Sequence, residues 1–256
     1  MKKLLFYAFV INCIKISVFS QSVYEIDIKQ EAVISTISLG AALSPFFIQN
    51  KPDIVPSALN KNDVNGLDRF FMFPANGSLD LFSDHFYAVT LASLPLVSVI
   101  PFIKQKNVLL TYGIMYAQSL LLTYGTVFSL KNAVIRYRPY MYAGIPARLK
   151  NDYHKSLPSS SSAFSFLGTT FFCTTFSHEF PESKWKLPII IGSSALAAGT
   201  GLMRIASGAH FLSDVLTGAA IGSLYGWLIP QLHLKKGDAG CSVEPTVNGV
   251  MLSLKF

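Results

Sequence analysis

Five ionisable side chains stand at spacings that place chemistry-bearing groups close together. Lys131 and Arg138 lie seven positions apart, two helical turns, so both are expected on one face of a helix end that Pro139 then stops. Arg204 precedes His210 by six, and Asp214 follows His210 by four. The last spacing is expected to put an imidazole and a carboxylate on neighbouring turns of one helix. Any one of these alone reads as an interfacial anchor or a satisfied helix histidine. Together, at the edge of apolar segments where charge is costly, they read as a functional site.

The apolar segments themselves are the clearest feature of the chain. Hydrophobic residues make up 51% of the 256 positions and charged residues 14%, with a mean hydropathy of +0.42. A soluble domain carries nearer a quarter charged residues, so this one lacks the polar surface to face water on all sides. Six apolar runs, roughly 32–49, 86–103, 108–130, 161–179, 187–203 and 211–230, are long enough or nearly long enough to cross a bilayer. They lack the alternation of a membrane barrel, so helices are expected. Gly218, Gly222 and Gly226 recur on one face of the last run, where a neighbouring helix could approach closely.

The net charge of +7 resides largely in short loops between these runs. Membrane topology accounts for that placement better than nucleic acid does. Lys104 and Lys106, Lys184 and Lys186, and Lys235 and Lys236 fall on one side of a six-helix chain, expected to be cytoplasmic. The Arg136–Pro158 stretch and the turn after Met203 then face outward. Residues 1–20 read as a signal peptide or a first membrane helix. A cleaved leader conflicts with a segment 32–49 that begins inside, so either the leader stays or that segment does not fully cross. The domain covers 21–231 and a short tail 232–256, whose end alternates like a strand. Cys13, Cys173 and Cys241 form no CxxC pair. His85, His178 and His233 read as interfacial, and Tyr137, Tyr140, Tyr142 and Tyr153 as an aromatic belt.

The spacings resemble a known family. The run from Lys131 to Arg138-Pro139 reproduces KxxxxxxRP, and Met203-Arg204 through His210 to Asp214 reproduces SRxxxxxHxxxD with Met203 in place of Ser. These are motifs of the type 2 phosphatidic acid phosphatase (PAP2) superfamily, which also contains the vanadium haloperoxidases, and the resemblance covers roughly residues 85–230. It implies an all-α membrane bundle whose phosphate oxygens are gripped by Lys131, Arg138 and Arg204. It implies His210 as a nucleophile forming a phosphohistidine, and Asp214 as the group that orients it. No metal or other cofactor is expected, nor nucleic acid. The expected partners are the bilayer and a membrane lipid phosphate: undecaprenyl diphosphate, phosphatidate, phosphatidylglycerol phosphate or lipid A phosphate. The expected location is the inner membrane of a bacterial-type cell, with the site facing the exterior or periplasm.

The second family motif, PSGH, is where the chain departs. Pro158 and Ser159 match, Ser160 stands for Gly and Ser161 for His. By the resemblance, Ser159 and Ser160 would meet phosphate, and the missing His would be the general acid. A serine hydroxyl titrates too high for that work. Three readings follow: a substrate whose leaving group needs little help, such as a lipid diphosphate; a surrogate acid at His154, otherwise a solvated loop residue; or a catalytically impaired protein that binds phospholipid headgroups or a partner. A haloperoxidase fits less well, being largely soluble, and a transporter leaves the motif spacing unexplained.

Overall fold

The computed structural model describes residues 22–50, 59–143, 152–235, 240–246 and 249–255. The leader and Cys13 lie outside these. The chain forms helices α1 (Ile28–Leu43), α2 (Gly66–Phe70), α3 (Gly77–Ala88), α4 (Leu94–Val99), α5 (Lys106–Ala133), α6 (Ser160–Glu179), α7 (Lys186–Ala206) and α8 (Leu212–Leu232). An antiparallel hairpin of β1 (Gly240–Thr246) and β2 (Gly249–Lys255) follows, matching the alternation at the end of the tail.

Among the described residues, three helical spans are long and apolar enough to cross a membrane: Gly77–Phe102, Lys186–Ala206 and Leu212–Leu232. The first joins α3 to α4 through a π-helical turn, Val89–Ser93. Pro95 in α4 has no N–H to give the Leu91 carbonyl, which accepts the Tyr116 hydroxyl instead. Large apolar residues on the outer faces of α7 and α8, among them Leu187, Ile191, Leu216 and Leu224, remain exposed as a lipid-facing surface requires. Helix α5 has 28 residues, about 42 Å at 1.5 Å per residue.

The two ends of the bundle differ. Lys104, Lys106 and Lys235 gather around a cavity with Ser22 and Tyr24, at the end of α5 opposite Lys131. Tyr24 bridges Leu234 there, and Glu25 N–H donates to the His233 carbonyl at 3.0 Å. Helix α1 starts from this end and runs alongside α5 in the same direction. Ser44 meets Ser129 (2.6 Å), and Asn50 N–H reaches the Asn132 carbonyl (2.9 Å). The segment expected at 32–49 thus begins at the lysine end and reaches the other. Two histidines expected to be interfacial instead serve a buried polar network at the lysine end. His233 meets Glu31 at 2.5 Å, and His178 meets the Tyr24 hydroxyl at 2.8 Å.

Helix α6 packs against α5, α7 and α8, and its seam with α8 depends on glycine. A Cβ at Gly222 would run into the Ala163 carbonyl, and one at Gly226 would lie 2.8 Å from the Leu167 carbonyl. The small-residue face read from the sequence is therefore where two backbones touch. This contact fixes the height of the α6 N-terminus relative to the α8 N-terminus, where the site forms. Gly222→Val should cost at least about 1–3 kcal/mol, the usual penalty of overpacking. Thermal unfolding in detergent should show a clear drop for Gly222→Val and little change for Gly192→Val, since Gly192 has open space around it.

Candidate active site

The first motif does not continue the helix. Helix α5 ends at Ala133, and Val134–Arg138 is extended, as suits two β-branched residues and a residue preceding proline. Arg136 N–H donates to the His154 carbonyl (2.9 Å), Ser156 N–H to the Arg136 carbonyl (3.0 Å), and Arg138 N–H to the Tyr153 carbonyl (3.0 Å). Lys131 and Arg138 therefore share a site through a helix end and a strand-like arm, not through one helical face. The arm's period of two also sets Arg136 and Arg138 on the same side. Pro139 opens a 3₁₀ turn, Pro139–Ala143, well past the helix end.

The third motif is likewise divided. His210 precedes α8, and Asp214 sits in its first turn, where its Oδ2 accepts Phe211 N–H at 2.9 Å. Gly208, with φ +68°, makes the bend between α7 and α8. That conformation suits glycine, and a Cβ there would lie 2.5 Å from the Phe73 carbonyl. The imidazole is 1% exposed. Its Nδ1 lies 2.8 Å from the Ser156 carbonyl, and its Nε2 lies 3.3 Å from Arg138 Nη1. A carbonyl only accepts, so Nδ1 carries the proton and Nε2 presents its lone pair among the cations. The Asp214 carboxylate expected beside the ring from the spacing is there, but at 3.7 Å from Oδ2 to Nδ1 it is too far to hydrogen-bond the ring. Asp214 instead accepts from the Ser156 hydroxyl (2.5 Å), from Arg136 Nη1 (2.5 Å) and from Phe211 N–H.

Each cation expected to grip phosphate is buried near this imidazole, and each carries a partner. Lys131 donates to the Lys155 carbonyl at 2.9 Å. Arg138 pairs with Asp152 (2.6 Å) and donates to the Ala209 carbonyl (3.2 Å). Arg204 pairs with Asp80 at 2.7 Å and lies 3.5 Å from Asp84. Its Nε has no hydrogen-bond partner among the described residues, leaving a charged donor for an incoming anion. Burial, then the nearby Arg138, Lys131 and Arg204, push the His210 pKa well below the usual histidine value. The ring is thus neutral in neutral water, as a nucleophile must be.

Around the second motif, Ser159 is fully buried and caps α6, its Oγ accepting from Ser162 N–H (3.4 Å) and from the Ser162 hydroxyl (2.9 Å). Ser160 and Ser161 are half-buried in the first turn of α6, whose amides open an anion-favouring helix terminus. His154, read as a solvated loop residue, is instead 4% exposed and packs edge-on against Tyr153. Chain pairing with the 134–138 arm pulls it inward.

Several site residues escaped the sequence reading. Arg136 lies inside the first motif yet was not singled out. Asp68, Asp80 and Asp84 come from a segment that the motif resemblance leaves aside. Asp68 is fully buried and accepts from Ser213 N–H (2.9 Å), the Ser213 hydroxyl (2.6 Å), Asn65 (2.6 Å) and Arg136 (2.5 Å). Burial pushes its pKa up, but these hydrogen bonds outweigh burial and hold the carboxyl below its ordinary value. No spacing signal reports such contacts, because they arise from tertiary placement.

The depressed His210 pKa predicts the pH dependence. A lowered pKa keeps the ring neutral until the pH falls beneath it. Turnover at subsaturating substrate should not fall as the pH drops from about 7 through about 6.5, where an ordinary imidazole would be half protonated. A rate halved near the ordinary histidine value would show that the ring is not buried among these cations.

A family model described as the PAP2 superfamily matches residues 112–238. No curated protein sequence matches this chain. Among solved structures, the chain is similar to Aquifex aeolicus LpxE at 28% identity, covering 64% of this chain and 92% of that one, with a TM-score of 0.41. It is also similar to a transmembrane PAP2-type phosphatidylglycerolphosphate phosphatase from Bacillus subtilis at 19% identity, covering 79% and 94%, with a TM-score of 0.42. The family match takes in Lys131, Arg138, Arg204, His210 and Asp214 at the motif spacings, so the part of the chain that carries the site matches the PAP2 superfamily.

Proposed function

We propose that this protein is a membrane phosphatase that hydrolyses a lipid phosphate or diphosphate through a phosphohistidine on His210. The observation that carries the reading is the tautomer of His210. Its Nδ1 proton is committed to the Ser156 carbonyl and its Nε2 lone pair faces Arg138, both at hydrogen-bonding distance. A phosphorus atom held by Lys131, Arg138 and Arg204 would meet that lone pair in line, and the cations would stabilise the charge that spreads over the equatorial oxygens. Attack forms the N–P bond as the P–O bond to the leaving group breaks. Water then cleaves the N–P bond and releases inorganic phosphate. The apolar spans support a lipid substrate, met at the bilayer surface by the end of the bundle opposite the lysines.

Ser161 decides among substrates. With no histidine to protonate the leaving oxygen, the site suits a leaving group that departs as a stable anion. A phosphate leaving from a diphosphate meets that need better than an alkoxide leaving from phosphatidate. The same residue motivates a second reading, a protein that binds lipid phosphate without turning it over. Phosphate release from purified protein in detergent separates the two. The expected ranking is polyprenyl diphosphate above phosphatidylglycerol phosphate and phosphatidate, with release lost in His210→Ala. Ser161→His should raise phosphatidate turnover. Binding without release in wild type, with release gained in Ser161→His, would establish the second reading. Equal rates on phosphatidate and diphosphate would overturn the leaving-group argument.

A further inference from the structure

Arg136 is the cation near the site that bridges two buried carboxylates. Its Nη2 meets Asp68 Oδ2 at 2.5 Å; its Nη1 meets Asp214 Oδ1 at 2.5 Å and the Ser213 hydroxyl at 2.8 Å. Its guanidinium carbon lies 4.6 Å from the centre of the Phe211 ring, within cation–π range. These contacts account for both ends of the fork: one on a carboxylate, the other on a carboxylate and a hydroxyl, with an aromatic ring against the plane. Arg138, two residues on, differs in kind. It is the cation whose Nη1 touches His210 Nε2.

The contacts of Arg136 form a continuous path to the nucleophile. Arg136 holds Asp214 Oδ1; Asp214 Oδ2 accepts the Ser156 hydroxyl at 2.5 Å; the Ser156 carbonyl accepts His210 Nδ1–H at 2.8 Å. At the other end stands Asp68, fully buried, which also accepts both the backbone and side-chain donors of Ser213. Asp68 thus ties the first turn of α8 to the arm that carries Arg136. Both carboxylates are buried, and each would be left uncompensated without the guanidinium between them.

We propose that Arg136, clamped by Asp68, is a positioning residue that sets the nucleophile through Asp214 and Ser156, and is not a ligand of the substrate phosphate. The proposal rests on the reading of His210 as nucleophile, but its test does not depend on turnover. Arg136 fixes the Asp214 end of a relay that reaches His210 through Ser156. Lysine could not substitute for it, since one ammonium cannot span Asp68 and Asp214 as a planar fork does.

The test uses the full chain in detergent, with inorganic phosphate as ligand and ¹⁵N-labelled histidine as reporter. The chain has five histidines, so subtracting the His210→Gln spectrum assigns the His210 signals. Wild type should show a single Nδ1–H tautomer at His210. Arg136→Ala should keep phosphate affinity within about twofold while Arg138→Ala weakens it more than about tenfold, the loss expected when a charged hydrogen-bond partner is removed. Arg136→Ala should also convert the His210 signals to a tautomer mixture. Asp68→Asn, which keeps the side-chain shape if Arg136→Ala fails to fold, should loosen the tautomer in the same direction, and Arg136→Lys should not restore it. Phosphate binding lost in Arg136→Ala as in Arg138→Ala would overturn the proposal, as would an unchanged His210 tautomer in both Arg136→Ala and Asp68→Asn. A wild-type protein that binds phosphate but releases none from lipids would sink the phosphatase reading and leave these two readouts standing.

Discussion

A histidine buried beside three cationic side chains must stay neutral, and the bond from His210 Nδ1–H to the Ser156 carbonyl decides where its one proton sits. Protonating the ring would add a fourth positive charge in a site with little water to screen it. Holding the proton on Nδ1 leaves Nε2 as a lone pair, aimed where Arg138 already stands. The rest of the site can be understood as the means of keeping that one geometry. Ser156 belongs to the segment leading into α6, and His210 to the turn leading into α8. Their meeting depends on how those two helices are seated.

The seating comes from a backbone-to-backbone seam. Glycines along α8 let α6 approach until carbonyls of one helix meet the Cα atoms of the other, a contact that leaves almost no freedom to slide. Ser159 N–H, at the cap of α6, donates to the Asp214 carbonyl at 2.9 Å and locks the two helix starts together. Acidic partners supply the second constraint. Arg138 with Asp152, Arg204 with Asp80 and Asp84, and Arg136 with Asp68 and Asp214 keep the cations in place before any anion arrives. Such preorganisation leaves the cations little to do beyond exchanging a carboxylate for an incoming anion. Some of these carboxylates differ in exposure: Asp68 is fully buried, whereas the Asp84 side chain is 55% exposed. Only the exposed ones are free to yield an arginine to phosphate at small cost.

Much of this was legible in the sequence. Apolar runs announced the helices because a bilayer demands some twenty apolar residues in succession. The Gly218, Gly222 and Gly226 spacing announced the close seam, because the period of a helix puts every fourth residue on one face. Lys131, Arg138, Arg204, His210 and Asp214 were found because their separations are fixed. Helical periodicity failed where the chain is not helical: Arg138 stands on an extended arm, and His210 lies ahead of its helix. For that reason the imidazole hydrogen-bonds a backbone carbonyl and not the carboxylate four residues on. Asp68, Asp80, Asp84 and Asp152 could not be read from spacing, since each reaches its arginine across tertiary distance. His154 was misplaced for a related reason. A polar residue in a polar stretch looks solvated until its strand partner is known.

The central claim is a covalent bond to His210, and it is tested most directly by trapping it. A lipid carrying ³²P in its terminal phosphate would be mixed with the protein, quenched with base within the first turnovers, and digested to peptides. A phosphoramidate is stable to alkali and cleaved by acid, the reverse of a phosphoserine. The account predicts alkali-stable, acid-labile label on the peptide that contains His210, absent from His210→Ala. Label that survives acid, or phosphate release from the wild type with no phosphoprotein at any quench time, would contradict it.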